Sequence, residues 1–274
     1  MNPIVSPTAD PLLDPLVWWV LTPLLGAVIG SFLSMLTYRL PLIMLGQAPA
    51  SDFSIAWPAS HCPQCGTAIK PWHNIPVFGY LLIGGRCQAC NAKIPLRYPM
   101  IELAGAILPL PLLALFGPGA HAAALALLCW LLLALTVIDL EHQLLPDVLV
   151  APVGALGLIA AQLGLGAVSV TDALIGGVVG VVGLWGVAIL IEKVLKREAM
   201  GRGDAKLLGA LGAWVGVVGL PAVLFFGAWL AALVVIAARL GGIGLSAQIP
   251  FGPYLIAGGL IVIAWPSSAL IFWP

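Results

Sequence analysis

Apolar residues run along this chain in long blocks, separated by short polar stretches rich in Gly, Pro and charge. A helix needs about 20 apolar residues to cross the hydrocarbon core of a bilayer. Eight blocks come near that length, at roughly 16–37, 101–116, 120–138, 148–165, 173–192, 206–219, 221–241 and 253–272. The sixth is short, and its separation from the seventh rests on Gly219 to Pro221. Barrel strands would alternate apolar and polar at every second residue, so unbroken runs predict helices instead.

Composition agrees with a bilayer. The 274 residues are 61% hydrophobic and only 8% charged, whereas a soluble domain is about a quarter charged. The net charge is zero, which gives no reason to expect nucleic acid as a partner. No Lys or Arg precedes the first apolar block, so that block does not read as a cleavable signal and should be retained. With eight spans and an outer amino terminus, all 11 basic residues, from Arg39 to Arg239, fall on one side of the membrane. That side is the cytoplasm by the positive-inside rule. Asp10, Asp14 and Asp172 fall on the other, and residues 1–15 make a short outer tail.

Hydropathy drops between residues 42 and 100, where Cys62-Pro63-Gln64-Cys65 and Cys87-Gln88-Ala89-Cys90 supply two C-x-x-C pairs. This spacing suits two knuckles that each give two thiolates to one tetrahedral zinc ion. A reducing cytoplasm disfavours the alternative of disulfides. Four thiolates leave no open position, so the metal is expected to be structural, stapling a loop too small to bury its own core. The expected fold is an all-α polytopic membrane protein of about eight transmembrane helices with a small zinc-binding cytoplasmic loop domain. Its parts would be residues 1–41 (tail and first helix), 42–100 (zinc loop) and 101–274 (seven-helix catalytic domain). No internal repeat stands out, and Cys129 reads as a small apolar packing residue.

An ionisable residue at a membrane boundary is costly and marks a functional site by default. Asp204 sits there in Gly201-Arg202-Gly203-Asp204-Ala205-Lys206, and Asp139 is placed in the same way at the end of the third span. If those spans are neighbours, the two carboxylates meet. Hydrolysis of a peptide by two aspartates needs one ionised to activate water and one protonated to polarise the carbonyl. Asp204 lies at a helix start, where the dipole and nearby Lys206 would favour the anion, and Asp139 at a helix end. Asp204 is therefore expected as base and Asp139 as acid. Gly201 and Gly203 would let a backbone come close. Asp147, after Pro146, is expected to cap the fourth span. Glu102 fits a helix start, and Tyr38 with Arg39 fits an interface anchor. Two other classes remain open on these residues: a transporter using the same carboxylates, and a membrane scaffold docking partners on the zinc loop.

Taken together, the motifs resemble the type IV prepilin peptidases, prepilin leader peptidase/N-methyltransferases. The likeness is carried in order by Gly30-Ser31-Phe32-Leu33 through Tyr38-Arg39-Leu40-Pro41, by the C-x-x-C pairs flanking Asn74-Ile75-Pro76, and by Arg97-Tyr98-Pro99 with Glu102. It continues through Asp139 with Pro146-Asp147, Gly201-Arg202-Gly203-Asp204 with Lys206, and Phe251-Gly252-Pro253-Tyr254. The chain has Ser34 where the family's first-helix signature usually has Asn. The resemblance implies that Asp139 and Asp204 are a catalytic pair in a bacterial inner-membrane protease. It implies cleavage of type IV prepilins or type II secretion pseudopilins after the Gly that ends a basic leader, at the cytoplasmic face among membrane lipids. It further implies methylation of the new amino terminus with S-adenosylmethionine.

Overall fold

The computed structural model describes residues 15–49, 53–166, 168–196, 201–242 and 249–266. The outer tail with Asp10, and Arg197 in the loop before Gly201, lie outside them. The described residues are helical, with two isolated bridges and no sheet among them. The helices are α1 (Pro15–Met44), α2 (Phe78–Leu82), α3 (Arg97–Ile107), α4 (Pro109–Phe116), α5 (Ala120–His142), α6 (Asp147–Gln162), α7 (Val170–Leu195), α8 (Arg202–Leu240) and α9 (Gly252–Ala264). Five stretches are long and apolar enough to cross a membrane: α1, α3 with α4, α5, α7 and α8. The apolar helices α6 and α9 are shorter. This is the build of a multi-pass membrane protein, and about five spans stand on length and composition alone.

The chain groups into two compact units, one of Met1–Ser34 with Ala59–Ala126, the other of Met35–Pro58 with Leu127–Pro274. In the first, α1 and α3 cross at glycines. A Cβ on Gly30 would lie 2.7 Å from the Glu102 Cα, and one on Gly105 would lie 2.9 Å from the Gly30 Cα. Only hydrogen fits there, so the small residues of the first apolar block serve helix packing. Glu102 lies in the second turn of α3 and accepts a hydrogen bond from the Val77 N–H at 2.7 Å. It therefore fastens the loop ahead of α2 and does not sit at a helix start. Ser34 turns its hydroxyl back onto the Ser31 carbonyl at 2.8 Å.

In the second unit, Arg39 is buried, which corrects the interface-anchor expectation for it. Its guanidinium donates to the carbonyls of Ser54, Ile55 and Pro58. Five donors in a rigid fork suit such a carbonyl cluster. Helix α7 begins at a reciprocal cap, in which the Ser169 Oγ accepts from the Asp172 N–H and donates to the Asp172 carboxylate. Helix α8 is broken at Gly216, where φ is 69° and ψ is 178°. Adjacent residues of α9 show what the break does. A Cβ on Gly259 would meet Leu211, while one on Gly258 would meet Val223 and Gly227. A straight helix would hold Leu211 and Val223 about 18 Å apart, so the chain doubles back at Gly216. The expected division of this stretch is real, but it falls ahead of Gly219–Pro221, and Pro221 lies inside the returning arm.

Candidate active site

Asp139 occupies the last turn of α5, and Asp204 the first turn of α8. Both are among the few buried charged side chains, at 5% and 8% exposure. They lie within Coulombic range of each other. Helices that start far apart in the chain thus bring the two sequence-selected acids to one place. The Asp139 Oδ2 accepts a hydrogen bond from the Gly252 N–H at 3.1 Å. Gly252 is the first residue of α9, so a helix N-terminus, with its unsatisfied donors, points at Asp139. Nothing at the level of sequence pattern marks a backbone N–H as a partner; the Phe251-Gly252-Pro253-Tyr254 segment read only as an entry to the last span.

Glycine is required at this contact, because a Cβ on Gly252 would lie 2.6 Å from the Asp139 Oδ2. Gly201 and Gly203 surround Asp204. A Cβ on Gly201 would come within 3.3 Å of the Asp204 Oδ2, and one on Gly203 within 2.9 Å of the Leu145 Cβ. The close approach expected at these glycines is to Asp204 itself and to Leu145.

Lys206 does not neutralise Asp204. Its Nζ donates to both oxygens of Asp147, at 2.8 Å each. The physical reason is helical geometry, since residues two apart face opposite ways. Asp147 does not cap α6 either: the cap position is Pro146, with no side-chain bond, and Asp147 is the first helical residue. The helix-end argument that made Asp139 the acid also lapses, since α9 presents its N-terminus to Asp139 as α8 does to Asp204.

The four knuckle cysteines converge in the first unit. Their ligand atoms all lie within 4.8 Å of one another, with Cys62 to Cys90 at 3.8 Å and Cys65 to Cys87 at 3.9 Å between Sγ atoms. Four sulfurs bound at about 2.3 Å to one tetrahedral centre would stand about 3.8 Å apart. All five cysteines are free thiols, and Cys129 is buried by itself. The second knuckle repeats the first position for position. The Cys62 N–H bonds the Thr67 carbonyl as that of Cys87 bonds Ala92, and the Gly66 N–H bonds Cys62 as that of Asn91 bonds Cys87. Gly66 and Asn91 both take positive φ. This is an internal repeat that the sequence pattern did not reveal, because only the cysteines and an Ile are shared. Hydrogen bonds from the Thr67 hydroxyl and backbone draw the Cys65 thiol down to about 6, and backbone N–H groups of Cys90 and Ala89 lower that of Cys87. Against the hydrogen bond from the Ala92 backbone, burial and the other three thiols push Cys90 up to about 11, so a metal ion held here as a tetrathiolate would displace the protons that remain.

Residues 24–116 match the Bacterial Peptidase A24 N-terminal domain, and residues 126–236 match the Type IV leader peptidase family. Similar curated proteins bear the name prepilin leader peptidase/N-methyltransferase. That of Pseudomonas aeruginosa is 44% identical over 93% of this chain and 94% of its own length. That of Pseudomonas putida is 40% identical over 92% of each, and that of Aeromonas hydrophila 37% identical over 93% of each. No solved structure matches.

Proposed function

This chain belongs to the type IV leader peptidase family, and on that premise we propose that Asp139 and Asp204 are its catalytic carboxylates. The protein is an endopeptidase that removes the leader of prepilins and an N-methyltransferase acting on the terminus so exposed, as the name shared by its relatives implies. The observation that carries the catalytic reading is the meeting of two buried acids from α5 and α8. Two carboxylates in Coulombic range do not ionise together easily and share a proton. The ionised member takes a proton from water as the water attacks the scissile carbonyl, while the protonated member donates its own proton to the carbonyl oxygen. As the C–N bond breaks, the first member passes the proton it took from water to the departing amine, and the second recovers its proton from the gem-diol. Which acid begins as the base is left to the pair, because each faces a helix N-terminus.

The four cysteines hold zinc in this reading, and the ion supplies folding energy to the loop, with no open position for chemistry. The methyl donor is S-adenosylmethionine, taken over from the resemblance without an assigned residue. The enzyme sits in the bacterial inner membrane with eight spans, an outer amino terminus, and its dyad on the cytoplasmic side. Its clients are type IV prepilins or type II secretion pseudopilins. Neither a transporter nor a scaffold is favoured by family membership.

A membrane assay with a prepilin substrate tests the dyad. Asp139→Ala and Asp204→Ala should each abolish cleavage while the protein remains in the membrane; cleavage surviving either change ends the proposal. Labelled S-adenosylmethionine in the wild-type reaction should deliver label to the processed product only.

A further inference from the structure

The turn between α5 and α6 touches the supports of both acids. Leu145, in this turn, lies 2.9 Å from where a Gly203 Cβ would stand and 3.3 Å from where a Gly252 Cβ would stand. Gly203 immediately precedes Asp204, and the Gly252 N–H holds Asp139. One side chain is therefore wedged against the backbone that carries one carboxylate and the backbone that hydrogen-bonds the other. Two residues on, Asp147 is gripped by Lys206, which itself follows Asp204 by two residues in α8. The turn is thus tethered by charge to the same helical turn against which Leu145 is wedged.

The pair is poorly explained as a stabiliser of the whole fold. Its side chains are 49% and 69% exposed, and exposed ion pairs add little to global stability. With its Nζ 2.8 Å from both carboxylate oxygens, Lys206 instead holds the start of α6 at a short distance from the first turn of α8, as a point charge does. Position matters at a catalytic pair, since a misplacement of about 1 Å can cost about a hundredfold in rate.

We propose that the Lys206–Asp147 ion pair is a latch that seats Leu145 and so sets the spacing of Asp139 and Asp204, making Lys206, Asp147 and Leu145 positioning residues for the hydrolysis. This rests on the reading that Asp139 and Asp204 perform that step.

The test uses the full-length protein in lipid nanodiscs with a prepilin substrate. Asp139→Asn and Asp204→Asn come first; activity in either sinks the dyad, a failure separate from that of the latch. Lys206→Met and Asp147→Asn should then each lower kcat by about tenfold to a hundredfold, with KM within about twofold of wild type. The double variant should be no worse than the poorer single one, because both remove one interaction. The charge swap K206D/D147K should recover about tenfold over the singles, and Lys206→Arg should keep most of the activity. Leu145→Ala should lower kcat without adding to the loss in Lys206→Met. Raising salt should depress the wild-type kcat and leave that of Lys206→Met flat, since an exposed pair is screened. Thermal unfolding midpoints should remain near wild type throughout. Additive losses, a swap with a normal midpoint and no recovery, a rise in KM in place of the fall in kcat, or activity tracking the unfolding midpoint would each overturn the latch.

Discussion

At the scale of single residues, the two acids are set as much by what their neighbours lack as by what they offer. Asp139 accepts a hydrogen bond from Gly252, and the contact exists only because Gly252 has no Cβ. Gly252→Ala would place a methyl group 2.6 Å from the Asp139 Oδ2, closer than non-bonded atoms tolerate, so the carboxylate or the start of α9 must move. The expected result is a fall in kcat of about a hundredfold, with protein level in the membrane little changed. Gly201→Ala is the contrast to measure. Its methyl would stand 3.3 Å from the Asp204 Oδ2, a tight contact that a shift of a few tenths of an ångström relieves. Its loss should be several times smaller, and equal losses would show that the Gly252 contact has no special place. Gly252 also marks a limit of sequence reading. Asp139 and Asp204 declare themselves because a charge near hydrocarbon is costly. A backbone N–H is present at nearly every position, so its choice as a partner is visible only in three dimensions. Lys206 misled for a related reason: nearness in sequence placed it beside Asp204, while helical phase turned it toward Asp147.

At the scale of elements, the two devices that shape the chain are a pair of cysteine knuckles that could hold a metal ion and a glycine reversal. The C-x-x-C spacing announced the first, since ligand geometry constrains spacing directly. Removing zinc with a chelator, or changing Cys62 to Ser, should reduce bound zinc from one ion per chain to none and open the segment 59–95 to added protease. Cys129→Ser should alter neither measurement, because that thiol is buried and is not one of the four clustered cysteines. The reversal at Gly216 was less legible. Pro221 offered the stronger breaker signal, yet a helix can carry a proline at the loss of a hydrogen bond. Gly216, by contrast, adopts φ 69° and ψ 178°, a region essentially closed to other residues. A Cβ there would also approach the Val168 Cγ1 to 3.2 Å. Gly216→Ala should therefore destabilise the protein by about 1–3 kcal/mol, read as a fall in Tm of several degrees. Pro221→Ala should leave Tm unchanged or raise it, since it restores a donor within the arm. The opposite ranking would move the hinge to the proline.

At the scale of the whole molecule, the question is how many times the chain crosses the bilayer. Among the described residues, length and composition alone support five crossings, but α8 reverses within that count, and α6 and α9 are apolar though short. The reversal packs against Val168 and Asp172, in the polar segment that opens α7, which eight spans place on the outer side. From there the first arm of α8, residues 202–215, rises only about 21 Å, against a hydrocarbon core of about 30 Å. If the eight-span topology holds, its inner end would stop short of a flat cytoplasmic surface, and Asp204 would need water brought down to it or a bilayer thinned around it. Thiol labelling in intact spheroplasts tests the topology directly. With eight spans the four knuckle cysteines face the cytoplasm and Cys129 is buried, so a membrane-impermeant maleimide should leave the wild-type protein unlabelled until the membrane is permeabilised. Gly166 is exposed in the segment between α6 and α7, and a Cβ there would make only an ordinary contact, 3.9 Å from the Val168 backbone nitrogen. Gly166→Cys should therefore gain a label from outside in intact spheroplasts. Wild-type labelling before permeabilisation, or a Gly166→Cys protein that labels only afterwards, would invert the assignment and place the dyad on the wrong side for a cytoplasmic leader.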